Sequence, residues 1–177
     1  MPRGLAFLCA SLMVLACLPF VLHPSFLGVA RFVVCAVLLV LALIDARCGL
    51  LPDALTLPLL WAGLLMAWAG SGVSLHDAVA AAAAGYVLLR GMDMLFQACR
   101  GHAGMGGGDM KLMAALGAWL GWAALPGVLL VACVAATAFA ILGRTPDAWR
   151  RSLAFGPFLA LAGAARLVGD PVVQFLF

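Results

Sequence analysis

Two aspartates stand where this chain could do acid–base chemistry. Asp45 closes an apolar run in Leu43-Ile44-Asp45-Ala46-Arg47, and Asp109 follows a glycine run in Gly106-Gly107-Gly108-Asp109-Met110-Lys111-Leu112. Ionisable groups at membrane depth are costly, so each is a functional candidate by default. Two carboxylates brought to the same depth suit aspartyl hydrolysis. They do not both ionise readily side by side, so one stays protonated as the acid while the other, as base, activates a water against a scissile carbonyl. The glycines before Asp109 carry no side chains and permit unusual backbone angles, which would let an extended substrate backbone come close to the carboxylate.

A structural reading of the same residues stands beside this one. Asp109 would serve as an ordinary N-cap after a glycine-rich loop, and Asp45 as an interfacial residue paired with Arg47 or Lys111. The glycine run lacks the preceding strand and the GK[ST] ending of a phosphate-binding loop. Lys111 either stabilises developing negative charge, holds the loop or anchors the interface. Asp53, after Pro52, reads as a helix cap. Arg90 and Asp93 are spaced for an ion pair on one helix face near the interface. His102 reads as a solvated loop histidine, and Gly156 and Pro157 as shaping the start of the last span beside the site.

The elements that must position these residues follow from composition. Of 177 residues, 67% are hydrophobic and only 10% charged, with a mean hydropathy of +1.19. A soluble domain runs at about 45–50% apolar and about 25% charged, so this chain cannot coat a water-facing surface. The expected fold is all-α: a polytopic integral-membrane bundle of about seven helices. It forms a single membrane domain over residues 1–177, with no room for a separate soluble domain. The apolar runs place spans near 5–22, 28–45, 54–70, 76–96, 110–124, 126–143 and 153–169, the fifth and sixth parted only at Leu125-Pro126-Gly127. The first run, after Arg3, reads as a span rather than a cleaved leader.

With the N-terminus in the cytoplasm, the inner segments carry Arg3, Arg47, Arg90, Arg100, Lys111, Arg144, Arg150 and Arg151, against Arg31 and Arg166 outside. Eight against two is the positive-inside pattern, and it puts 46–53, 97–109 and 144–152 in the cytoplasm, with Asp45 and Asp109 at that face. The net charge of +3 is too scattered for nucleic-acid binding. All seven acids are Asp, and the six cysteines form no CxxC pair. The cysteines read as small core-filling residues and the tryptophans 61, 68, 119, 122 and 149 as interfacial anchors. The Ala80–Ala84 run, Gly85, and the Gly117/Gly121 pair predict close helix packing.

These residues also carry a resemblance. The stretch GMGGGDMKLMAALGAWLGW (104–122), with LIDARCGLLPDALTLPLLWAGLL (43–65) and AFGPFLALAG (154–163), resembles the prepilin peptidases, or type IV leader peptidases, membrane aspartyl proteases named for a GxGD motif. Ala154 stands where the family's PFGP segment usually has Pro. The resemblance implies that Asp45 and Asp109 are the catalytic pair, with Gly106, Gly108, Lys111, Pro52, Asp53, Gly156 and Pro157 around them. It also implies cleavage of basic leader peptides from type IV prepilins or pseudopilins of pilus or secretion systems, at the cytoplasmic face of the inner membrane, without a metal or other cofactor. Longer members carry a cysteine-paired zinc insertion and N-methylate the new N-terminus. Here about five residues (23–27) separate the first two spans, so the expectation is a short, peptidase-only form with no zinc site and its methyltransferase activity in doubt.

Two other function classes compete. A small cation-coupled transporter would use the two Asp to bind its ion, but no repeat or mid-membrane broken helix is evident. A catalytically silent scaffold of a pilus or secretion machine has little reason to keep both motif aspartates. For the peptidase, a substrate helix must dock from the bilayer and unwind near its cytoplasmic end, with the glycine-rich 97–108 loop as the segment that moves.

Overall fold

A computed structural model describes residues 26–101, 105–142 and 154–176, with side chains to residue 169. The described residues form six α-helices: α1 (Phe26–Cys48), α2 (Asp53–Trp68), α3 (Leu75–Arg100), α4 (Gly107–Leu120), α5 (Leu125–Leu142) and α6 (Gly156–Leu176). A short 3-10 turn, Trp122–Ala124, leads into α5. No strand occurs among the described residues. The six expected runs from 28–45 onward each coincide with a helix. The first run (5–22), His102, Trp149 and the Arg144, Arg150 and Arg151 cluster lie outside the described residues.

Phe26–Cys48, Leu75–Arg100 and Trp122–Leu142 are long and apolar enough to cross a membrane, and Asp53–Trp68 and Gly156–Gly169 are shorter apolar helices. The bundle's outside is apolar as well. Trp61, Leu65, Val87, Leu95, Leu130, Val134 and Ile141 are all exposed, a surface suited to lipid rather than water.

Helix α4 is the hub. Nine of its 14 residues are buried, and it packs against α2, α3 and α6, while α1 packs against α6 and α6 against α5. At 1.5 Å per residue α4 is only about 21 Å long, less than a bilayer core of about 30 Å. Its neighbours shield it, so it need not face lipid alone.

Glycine makes that close packing possible. A methyl group at Gly117 would lie 2.6 Å from the Ala81 carbonyl oxygen, so α3 and α4 touch backbone to backbone there. A methyl at Gly85 would meet the Met113 carbonyl oxygen at 3.1 Å, and one at Gly63 the Trp119 ring at 2.8 Å. Small residues at helix crossings are what a membrane bundle requires, since lipid supplies no hydrophobic drive to bring helices together. On α3 the buried positions Ala78, Ala81, Ala82, Gly85, Leu89 and Asp93 form one face toward α4.

Several expectations are corrected or extended. Gly121 does more than pack: a methyl there would lie 3.1 Å from the Val73 side chain, and at φ +74° it also ends α4, with its N–H bonded to the Gly117 carbonyl at 2.9 Å. The break between the fifth and sixth runs therefore falls at 121–124, and Pro126 sits inside the first turn of α5, where a missing N–H costs nothing. Of the described cysteines only Cys35 is buried. Cys48, Cys99 and Cys133 are exposed free thiols rather than core fillers. Trp119 also has a packing role: half-buried, it donates its indole N–H to the Leu59 carbonyl at 2.9 Å and ties α4 to α2.

Candidate active site

Asp45 lies in the last turn of α1. That helix stops three residues later because Gly49 adopts a left-handed φ of +66° and donates its N–H to the Asp45 carbonyl at 2.8 Å, a C-terminal arrangement that suits glycine. The chain then turns through Leu51 and Pro52. Pro52, extended at φ −69° and ψ 129°, is the N-cap of α2. Asp109 is the third residue of α4. The N-cap is Gly106, whose carbonyl accepts the Asp109 N–H at 3.1 Å. The ends of α1 and α3 and the starts of α2, α4 and α6 thus meet at one end of the bundle.

The Asp45 and Asp109 carboxyls, far apart in sequence, interact electrostatically across this meeting point. Both residues are buried, at 5% and 7% exposure. Oδ2 of Asp45 and Oδ1 of Asp109 have no hydrogen-bond partner among the described residues. Buried polar atoms in folded proteins are nearly always paired, so two orphan carboxylate oxygens facing one site need an explanation. The structural readings of these residues do not supply one. Asp109 is not the N-cap, and Asp45 does not pair with Lys111, whose ammonium is engaged by Asp53.

Two glycines let the carboxyls approach. Gly156 opens α6 against Asp45, and its backbone amide interacts with that carboxyl. A methyl group at 156 would fall 2.5 Å from Oδ2 of Asp45. Gly108 opens onto Leu51, whose Cβ would lie 2.6 Å from a methyl there, and Leu51 also reaches toward Gly156, with its Cδ1 3.0 Å from the corresponding position. Leu51 therefore wedges between the first turns of α4 and α6. No sequence signal marked it, because its role depends on two glycines more than fifty residues away.

Asp53 and Lys111 are also corrected. Asp53 is the first residue of α2 rather than its cap, which is Pro52. Its two oxygens accept from Lys111 Nζ at 2.7 and 2.6 Å, joining α2 to α4 beside the site. Pro157 follows Gly156 into the first turn of α6 as expected. The Arg90–Asp93 pair exists at 3.7 Å, but Asp93 is no surface residue: its side chain is 2% exposed against 51% for Arg90. Among the described residues no three His, Cys, Asp or Glu side chains gather as metal ligands. The site as described offers two carboxylates, backbone amides and the space left by glycines.

Comparison with known proteins follows the same residues. The signature of the type IV leader peptidase family matches residues 32–141, a stretch that holds both Asp45 and Asp109. The chain is 51% identical over 146 residues to the prepilin leader peptidase/N-methyltransferase of Burkholderia pseudomallei, covering 81% of this chain and 47% of that protein. It is 46% identical over 157 residues to that of Aeromonas salmonicida (86% and 54%) and 41% over 167 residues to that of Dickeya chrysanthemi (93% and 56%). The chain spans about half the length of these curated relatives. No solved structure matches it.

Proposed function

Because the chain belongs to the type IV leader peptidase family, we propose that it is a membrane-embedded aspartic endopeptidase that removes the basic leader from type IV prepilins or pseudopilins. Asp45 and Asp109 are its catalytic pair. The observation that carries this reading is the pair itself: two buried carboxyls from distant segments, each with an unpaired oxygen, at the end of the bundle where Leu51 packs against both Gly108 and Gly156. The relatives named for this activity support it. So does the positive-inside pattern, which favours a multi-pass chain with its N-terminus and site on the cytoplasmic side, the inner membrane being the location this reading entails.

In this mechanism the pair shares one proton. The ionised carboxylate takes a proton from a water held between the two, and the water oxygen attacks the scissile carbonyl carbon. The protonated partner donates its proton to the carbonyl oxygen, giving a neutral tetrahedral diol. A proton then passes to the leaving nitrogen as the C–N bond breaks, and the pair returns to its shared-proton state. Gly107, where nothing lies within 4 Å of a Cβ position, and Gly106, where only Asp109 Oδ2 lies within reach at 3.7 Å, leave room for the peptide backbone beside Asp109. Since a helical peptide bond is shielded by its own hydrogen bonds, the substrate must be extended at this point.

The test is co-expression with a prepilin and measurement of the leader-removal mass shift for wild type, Asp45→Asn and Asp109→Asn. Wild type cleaves, and both variants leave the precursor intact. Cleavage by the variants equal to wild type would refute the mechanism. The same spectrum reads methyl transfer as a further gain of one methyl group.

A further inference from the structure

A third aspartate of the bundle is buried as completely as the pair, and the mechanism does not use it. Asp93 ends the inward face of α3 at 3% exposure. Its Oδ1 accepts the backbone N–H of Met105 at 3.1 Å, twelve residues on, and its Oδ2 accepts from Gln97 Nε2 at 2.7 Å. Arg90 stands 3.7 Å from the same Oδ2. A buried carboxylate is tolerated when its oxygens are filled in this way. A surface ion pair with Arg90 alone would not require burial.

What the bond to Met105 holds is specific. Met105 precedes Gly106, the N-cap of α4, whose carbonyl receives the Asp109 N–H. Only three residues separate the anchored amide from Asp109. The anchor matters because, among the described residues, α3 ends in left-handed Gly101 and no side chain caps α4. Glycine-rich backbone has the most conformational freedom to lose on ordering. A charge-assisted bond from a rigid helix to the last residue before the cap restricts that freedom where it affects Asp109 most.

We propose that Asp93 is a positioning residue: by accepting the Met105 amide it fixes the entry of α4 and so the placement of Asp109 against Asp45. This rests on the peptidase reading for its activity consequence, but not for its structural one. Asp93→Ala removes the acceptor. Asp93→Asn with Gln97→Glu keeps an oxygen for Met105 and restores a donor–acceptor match at residue 97 with its polarity reversed.

The purified full chain in detergent is tested in two ways. With a prepilin peptide, Asp93→Ala is expected to lower kcat on the order of 10²-fold with KM nearly unchanged, since a misplacement of about 1 Å costs that much. The double variant recovers to within about tenfold of wild type. In amide hydrogen exchange, residues 105–109 exchange faster in Asp93→Ala and as in wild type in the double variant. Wild-type kcat or unchanged exchange in Asp93→Ala overturns the proposal. If Asp93→Ala does not fold, the double variant decides alone, and a folded double variant with a kcat as low as that expected for Asp93→Ala overturns it. An inactive wild type refutes the peptidase reading instead, and the exchange result still judges Asp93.

Discussion

Lys111 Nζ lies 2.7 Å and 2.6 Å from the two carboxylate oxygens of Asp53, clasping the first turn of α2 to the N-terminal part of α4. Asp53 follows the Asp45 segment, and Lys111 lies two residues beyond Asp109. One ion pair therefore joins the two sequence segments that supply the carboxyls. Both partners are substantially exposed, at 35% and 55%, so the pair adds at most about 1 kcal/mol to stability. Its effect is on register. Lys111→Met is expected to lower the detergent Tm by no more than about 4 °C. Cleavage should fall about threefold to tenfold, and the charge-swapped Asp53→Lys/Lys111→Asp chain should recover most of that loss. Prepilin cleavage and thermal unfolding on the same preparations check it.

The proposed catalytic pair predicts an inverse relation between stability and activity. Asp45→Asn and Asp109→Asn each abolish cleavage, and the double variant is no worse than either single one, because the two act as a unit. Each replaces an ionisable carboxyl of a buried site with unpaired oxygens by a neutral amide, so Tm should stay level or rise. Thermal unfolding of the three variants beside wild type tests this.

Gly156 gives a matched steric test. In Gly156→Ala the new methyl falls 2.5 Å from Oδ2 of Asp45, and cleavage is expected to drop on the order of 10²-fold. Gly91→Ala, where nothing lies within 4 Å, should keep full activity. It should also gain roughly 0.5–1 kcal/mol from the better helix residue. Rates and Tm for the two alanine variants are the measurements.

Trp119→Phe removes the indole N–H bonded to the Leu59 carbonyl. The expected cost is about 1 kcal/mol, a Tm fall of about 2–4 °C for a chain of this size, with cleavage near wild type. A loss of cleavage far beyond the loss of folded protein would show that this cross-link also shapes the site.

What was legible in the sequence was what local pattern encodes. Long apolar runs gave the helices, and the glycine run gave the start of α4. Asp45 and Asp109 stood out because a carboxyl at the end of an apolar run is costly wherever it lies. The roles that depend on partners from other helices were not legible. Asp53 looked like a cap because Pro52 precedes it, yet a lysine 58 residues away binds its side chain. Asp93 looked like half of a surface pair because Arg90 lies one turn before it, and only the return of the chain at Met105 shows why it is buried. Leu51 is an ordinary leucine until Gly108 and Gly156 close on it. Trp119 fitted an interfacial belt by position, and its bond to Leu59 on α2 was not part of that pattern.

With Gly117 seated on the Ala81 backbone, α4 can be regarded as a lever with its fulcrum at that crossing and Asp109 near its other end. Eight residues, about 12 Å of helix, separate the two. A wedge at the fulcrum that tilts α4 by only about 5° would carry the carboxyl through roughly 1 Å, enough to matter for catalysis. Sensitivity to substitution should accordingly reach well away from the two carboxyls, into the helix crossing at Gly117 and Ala81.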